Sequence, residues 1–227
     1  MTSSFEDRLG AVRQRIRLSA EAMGRSVESI RLIAVSKTQT VPTMITAYRC
    51  GVRDFAESYV QEAVAKQVRL GHFDITWHFV GPIQSNKTRF IAARFNWVHS
   101  VDRIKIAERL SEQRPSNLPP LNVCIQINVS GESTKSGIDI ESVSMLAEAI
   151  ISLPRLRLRG VMAVPEPTSD RERQRAVFHS LRQLFELYSD FGWDDLSMGM
   201  SEDFEAAILE GSTMVRIGTA LFGPRSR

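Results

Sequence analysis

Eight short runs rich in β-branched and aromatic residues recur along the chain, and helical patterns fill most of the gaps between them. That alternation is the strongest constraint on the fold, because strands that alternate with helices form βαβ units with parallel pairing. The strand-like runs are Arg31 to Ser36, Asp54 to Glu57, Ile75 to Val80, Trp97 to Val101, Asn122 to Val129, Leu158 to Val164, Asp195 to Met198 and Met214 to Phe222. Several are apolar for most of their length, as strands covered on both faces are.

The helical patterns are of uneven strength. Ahead of the strands, Ser3 and Glu6 form a capping box, and Phe5, Leu9, Val12 and Ile16 follow at helical spacing. Helices are expected over Tyr59 to Leu70, over Arg103 to Glu112 with Asp102 as cap, over Glu141 to Ser152 and over Arg171 to Tyr188. Shorter ones are expected over Thr43 to Arg49, Lys87 to Arg94 and Glu202 to Leu209, the last capped by Ser201.

Eight units in 227 residues match a (β/α)8 barrel, which typically takes ~250 residues. A doubly wound open sheet is the rival, but it wants a glycine-rich turn after its first strand, and here that turn reads Lys37-Thr38-Gln39-Thr40. The expectation is therefore an α/β protein, a single TIM-type barrel domain over residues 1–227 with an extra N-terminal helix. No repeat or linker-like segment divides the chain, and Pro115 to Pro120 reads as a short loop.

Composition excludes several function classes. With 43% apolar and 24% charged residues the chain is not expected to be disordered, and without a long uncharged apolar run no membrane span is expected. Its net charge of +3 comes from mixed signs without a concentrated basic stripe, so no nucleic-acid partner is expected. The start, Met1-Thr2-Ser3-Ser4-Phe5-Glu6-Asp7, has acids where a signal peptide has cations. Cys50 and Cys124 form no CxxC pair, and the four histidines lack metal-ligand spacing. A cytoplasmic monomer without a metal is the expectation.

In such a barrel the working residues sit at the C-terminal ends of strands. Lys37 closes the apolar run Leu32-Ile33-Ala34-Val35-Ser36. Partial desolvation would lower the pKa of its amine and make it a nucleophile for carbonyls, although a strand-end lysine that snorkels into water is the plainer reading. At the other end of the chain, Ser201 follows strand seven, and Arg216, Gly218 and Thr219 belong to strand eight and its exit. Barrels bind phosphate between those two loops. Together with Lys37, these residues suggest an aldehyde cofactor carrying a phosphate. Gly131-Glu132-Ser133-Thr134-Lys135-Ser136 imitates a phosphate loop but lacks its spacing. Cys124, in mid-strand, reads as core.

Longer stretches carry a resemblance. They are Ile33-Ala34-Val35-Ser36-Lys37-Thr38, Trp77-His78-Phe79-Val80-Gly81-Pro82-Ile83-Gln84-Ser85-Asn86-Lys87, Gln126-Ile127-Asn128-Val129-Ser130, Lys135-Ser136-Gly137, Leu158-Arg159-Gly160-Val161-Met162, Leu196-Ser197-Met198-Gly199-Met200-Ser201 and Val215-Arg216-Ile217-Gly218-Thr219-Ala220-Leu221-Phe222-Gly223. In that order they resemble the pyridoxal 5′-phosphate homeostasis protein family over nearly the whole chain. The resemblance implies a barrel like the N-terminal domain of alanine racemase, with pyridoxal 5′-phosphate held as a Schiff base on Lys37. It implies phosphate contacts from Ser201, Gly218 and Thr219, with Arg216 beside the pyridine nitrogen. Ser58, His78 and Met198 fall at positions implied to line the same pocket. The chain departs from the family at Ala56-Glu57-Ser58-Tyr59-Val60-Gln61-Glu62, where the family carries asparagine in place of Ser58.

A guanidinium only donates, so Arg216 would leave the ring nitrogen unprotonated and weaken the ring as an electron sink. The stretch beyond strand eight is also too short for the second domain whose tyrosine supplies a base in the racemases. The expectation is a carrier that buffers or delivers the cofactor for amino-acid and vitamin B6 homeostasis, with apo-enzymes that depend on pyridoxal phosphate as acceptors. A weak racemase and a scaffold for a regulatory partner are the alternatives. Lys135 offers a second amine near the site, against its plainer reading as a solvated loop charge.

Overall fold

A computed structural model describes residues 3–129 and 136–224. Ser130, the phosphate-loop mimic from Gly131 onward and Lys135 lie outside the described residues, Ser136 excepted. In chain order the elements are α1 (Phe5–Ala22), β1 (Arg31–Val35), α2 (Val41–Arg49), β2 (Asp54–Glu57), α3 (Val60–Arg69), β3 (Thr76–Phe79), α4 (Thr88–Arg94), β4 (Trp97–Val101) and α5 (Ile104–Gln113). Then come β5 (Leu121–Ile127), α6 (Val143–Ile151), β6 (Leu156–Ala163), α7 (Arg171–Leu187), β7 (Asp195–Ser197), α8 (Phe204–Leu209), β8 (Met214–Ile217) and α9 (Thr219–Phe222). Among the described residues the eight strands pair in parallel in sequence order, and β8 pairs β1 from Arg31↔Met214 to Ala34↔Ile217, closing the barrel.

Strand alternation sorts the side chains into two layers. One small apolar cluster, Ile33, Ala56, Trp97, Cys124, Met162 and Met214, lies in the barrel interior. A much larger one lies between the strands and the inner faces of the helices, with Phe55, Phe79, Ile91, Leu110 and Phe178 among its fully buried members. Cys124 is sealed in the interior, where burial pushes its thiol up, away from the reactive thiolate. Gly160 lets β6 and β7 close up: its φ is +148°, and a Cβ there would stand 1.8 Å from the Asp195 carbonyl oxygen.

The N-terminal helix is less an addition than a replacement. The helix after β8, α9, has four residues, too few to cover a strand. The 18-residue α1 packs against α8, α9 and α2 and occupies that place in the outer ring. Phe5 meets Phe222 at 5.4 Å between ring centroids, Arg8 Nε donates to the Leu221 carbonyl at 2.7 Å, and Arg15 forms a two-pronged pair with Glu205 at 3.0 and 2.9 Å.

This docking corrects several expected boundaries. The eighth strand stops at Ile217, and Thr219–Phe222 turns into α9, with the Leu221 and Phe222 N–H groups donating to the Gly218 carbonyl at 3.0 and 2.9 Å. A short apolar run does not tell strand from helix by pattern; burial of Leu221 and the contact of Phe222 with α1 decide it. The capping box sits one residue later than expected, on Ser4 and Asp7, because Phe5 must enter the core as the first helical residue. Asp102 does not cap α5; Arg103 takes that position without a side-chain cap. Ser201 does not cap α8, which begins after Asp203.

Candidate functional site

Strand alternation turns Ile33, Val35 and Lys37 to one side of β1, and Ile33 and Val35 belong to the barrel interior. Lys37 comes next on that side, half-buried, at the C-terminal end of the barrel. The chain leaves it through Thr38, the one non-glycine among the described residues with positive φ, at +67°. A β-branched residue in that region carries strain of about 1–3 kcal/mol. Something must hold it, and the Thr38 N–H donates to Glu62 Oε1 at 2.6 Å.

Behind that turn lies a buried ionic cluster. Lys66 Nζ donates to Glu62 Oε1 at 2.6 Å, to Glu57 Oε1 at 2.8 Å and to the Ser36 carbonyl at 2.7 Å. Ser36 Oγ also donates to Glu57 Oε1, at 2.7 Å. Burial pushes the Glu57 carboxyl up, against the pull of Lys66, and Glu57 Oε2 lacks a partner. The cluster ties β1, β2 and α3 together and grips the backbone on both sides of Lys37. Nothing in the sequence singles out Lys66, which reads there as one more helix-face charge.

Across the barrel mouth, β7 and β8 build a corner. Gly199 has φ +93°, and a Cβ there would stand 2.7 Å from the Ala207 Cβ, so only glycine lets the loop after β7 fold against α8. Ser201 Oγ accepts from the Ala220 N–H at 3.1 Å, joining this loop to α9. Asp203 Oδ1 accepts from the Met200 N–H at 2.6 Å, and burial pushes the Asp203 carboxyl up. Gly218 is different. Its φ is −111°, and a Cβ would meet Val35 only at 3.6 Å, an ordinary contact. Neither strain nor a clash demands glycine there; a side chain would take up cavity space.

Lys37, Arg216, Ser201, Gly218 and Thr219 line a single cavity of about 230 Å³ at this end of the barrel. Gln39, Thr168 and Asp203, none of them picked out from sequence, line it too. Arg216 is 3% exposed. Its guanidinium donates from Nη1 to Ser197 Oγ at 2.6 Å and from Nη2 to the Ala163 carbonyl at 2.8 Å. Burial lowers its pKa to about 10, which leaves it charged at neutral pH.

Three expected site residues are not among those lining this cavity. His78 is fully buried inside the barrel, with Nε2 2.9 Å from Asp54 Oδ1 and Nδ1 2.9 Å from His99 Nε2. It is the next-to-last residue of β3 and is not among the cavity's lining residues. Met198 is fully buried in the large apolar cluster outside the barrel wall, because it alternates with Ser197, which points inward to His99. Ser58 comes after β2 at the same end as Lys37 but is not among the cavity's lining residues.

Fold and site define a parallel (β/α)8 barrel with an amine, a guanidinium and a hydroxyl- and glycine-lined corner around one small cavity. A family model described as alanine racemase, N-terminal domain, matches residues 8–226. The chain is 57% identical to the pyridoxal phosphate homeostasis protein of Pseudomonas aeruginosa over 223 residues, 98% of this chain and 96% of that one. It belongs to the pyridoxal phosphate homeostasis protein family, within the wider alanine racemase N-terminal domain family. Among solved structures, PipY of Synechococcus elongatus with PLP bound matches at a TM-score of 0.83 and 32% identity, covering 97% of this chain and 100% of that chain. Alanine racemase of Clostridium difficile shares the fold at a TM-score of 0.71 and 16% identity, and the match covers 95% of this chain and 57% of that one.

Proposed function

We propose that this chain binds pyridoxal 5′-phosphate reversibly, holds it as a Schiff base on Lys37, and buffers or delivers it. The observation that carries the reading is the convergence of Lys37, Arg216, Ser201, Gly218 and Thr219 on one cavity of about 230 Å³. These groups fit the cofactor chemically. The lysine amine condenses with an aldehyde and releases water. The Ser201 and Thr219 hydroxyls and the side-chain-free backbone at Gly218 suit a phosphate. Arg216 suits the ring nitrogen, which can only accept from it.

Bound pyridoxal phosphate supplies an electrophilic carbonyl carbon and a ring that withdraws electrons. This chain's residues favour holding over turnover. A charged guanidinium fixed by Ser197 and Ala163 leaves the ring nitrogen unprotonated, and strong carbanion chemistry uses a carboxylate on a protonated ring. In this reading apo-enzymes that require the cofactor are the acceptors, residues 1–227 work as one barrel domain, and a single chain in the cytoplasm is the working unit. No helix among the described residues is long and apolar enough to cross a membrane.

The test is an absorption spectrum with added pyridoxal phosphate, then borohydride reduction and peptide mapping. One visible band and one reduced adduct, on Lys37, are expected, and Lys37→Ala abolishes both. Adducts scattered over surface lysines would overturn the reading. Exchange of the α-hydrogen of alanine with deuterated water at a catalytic rate would replace the carrier with a racemase.

A further inference from the structure

The barrel interior carries a polar chain that the proposed binding reaction leaves unexplained. Starting from the cavity, Arg216 Nη1 is 2.6 Å from Ser197 Oγ, and Ser197 Oγ is 2.9 Å from His99 Nδ1. His99 Nε2 is 2.9 Å from His78 Nδ1, and His78 Nε2 is 2.9 Å from Asp54 Oδ1. Ser197, His99 and His78 are completely buried. Asp54, at the start of β2, is partly exposed and lines a different cavity of about 560 Å³ beside α1. The chain therefore crosses from one end of the barrel to the other.

Its proton positions are dictated by the two ends. A guanidinium donates and never accepts, so Ser197 Oγ accepts from Arg216 and turns its own hydrogen to His99 Nδ1. A carboxylate only accepts, so His78 Nε2 carries a hydrogen toward Asp54. A neutral imidazole has one N–H. His78 Nδ1 must then accept from His99 Nε2, and His99 Nδ1 must accept from Ser197. Both ends give the same answer: each ring carries its hydrogen on Nε2. Burial lowers the pKa of both rings, and His78 and Arg216 lower that of His99 further, which keeps the middle neutral. Trp97 stacks on His78 at 5.7 Å between ring centroids and 13° between planes and restrains that ring.

We propose that Asp54, His78, His99 and Ser197 act as one polarised relay that positions Arg216 in the Lys37 cavity. Asp54 is thus a positioning residue for a pocket at the opposite end of the barrel. The relay works by direction. The Asp54 carboxylate sets the tautomer of both histidines, and those tautomers leave Ser197 with its lone pairs toward Arg216. A reversed relay would aim the Ser197 hydrogen at a guanidinium hydrogen.

The consequence for cofactor affinity rests on the binding proposed above, but the proton positions do not. Nitrogen-15 NMR of the cofactor-free protein reads them directly. Protonated Nε2 and unprotonated Nδ1 are expected on both His78 and His99. Asp54→Asn is expected to move the ring resonances of His99, which Asp54 does not touch, and the Nε resonance of Arg216. Asp54→Asn and Ser197→Ala are each expected to weaken pyridoxal phosphate binding about 2- to 30-fold, while borohydride still fixes the adduct on Lys37. An Nδ1-protonated ring on either histidine of the unaltered protein would overturn the relay, whether or not a variant folds. So would an Asp54→Asn protein whose His99 and Arg216 resonances and affinity match those of the unaltered chain. Loss of the Lys37 adduct in the unaltered chain sinks the cofactor reading alone, since the resonances need no cofactor.

Discussion

Two polar networks stand behind Lys37 and Arg216 of the cavity, and they are built on opposite plans. Outside the barrel wall, Ser36 and the ionisable groups of Glu57, Lys66 and Glu62 form a compact knot at 2.6 to 2.8 Å. Inside the wall, Asp54, His78, His99 and Ser197 form a line whose middle is neutral. The knot grips backbone: the Ser36 carbonyl, and the Thr38 N–H through Glu62. The line grips a side chain, Arg216. A strained turn is held by charges close by, whereas a guanidinium is aimed by oriented dipoles that add little net charge to an apolar interior.

The largest effect should come from cutting the knot. Lys66→Met leaves Glu57 buried beside no cation, and a loss of about 3–5 kcal/mol is expected in urea unfolding. Cutting the line should cost less. Ser197→Ala removes one hydrogen bond from a charged donor, and about 1.5–3 kcal/mol is expected by the same measurement. If the two losses came out equal, the contrast between charge and dipole would fail.

Acid and base separate the two plans. Burial raises Glu57, so the folded state holds its proton longer than the unfolded state does. The stability linked to this group is present below the unfolded carboxylate range and is lost as pH rises through the raised value. Burial lowers His78 and His99, so their linked stability is present above about pH 6.5 and is lost as pH falls below it. In stability-against-pH curves, Glu57→Gln should flatten the first slope and His99→Gln the second. The smallest effect concerns Thr38. Thr38→Gly relieves the left-handed strain at the entropy cost of glycine, and a gain of about 1 kcal/mol in the urea midpoint analysis is expected.

Much of the site is legible in the sequence because each clue is local. Lys37 at the end of an apolar run, and Ser201, Gly218 and Thr219 around the last strands, stand out from residue type and order. Met198 is not legible in the same way, because which side of a strand a residue faces is settled by register. Met198 and Ser197 are neighbours in sequence, yet one packs outside the wall and the other reaches the interior line. His78 stands out in its motif, but the line it belongs to is assembled from remote residues: its partner His99 is 21 residues away, and Ser197, the partner of His99, is 98 residues from His99.

The order of elements, and through it the parallel barrel, is written in local pattern, because periodicity and apolar strand runs are properties of neighbouring residues. The same local order assigns which chemical groups end up near the strand ends. Three outcomes came only with the folded chain. In it α1 covers the place that the four-residue α9 is too short to fill, Lys66 is pulled into the wall, and Asp54 is joined to Arg216 through the interior. Those outcomes depend on tertiary contacts: β1 and β2 lie side by side over α3 at Lys66, and barrel closure sets β8 against β1.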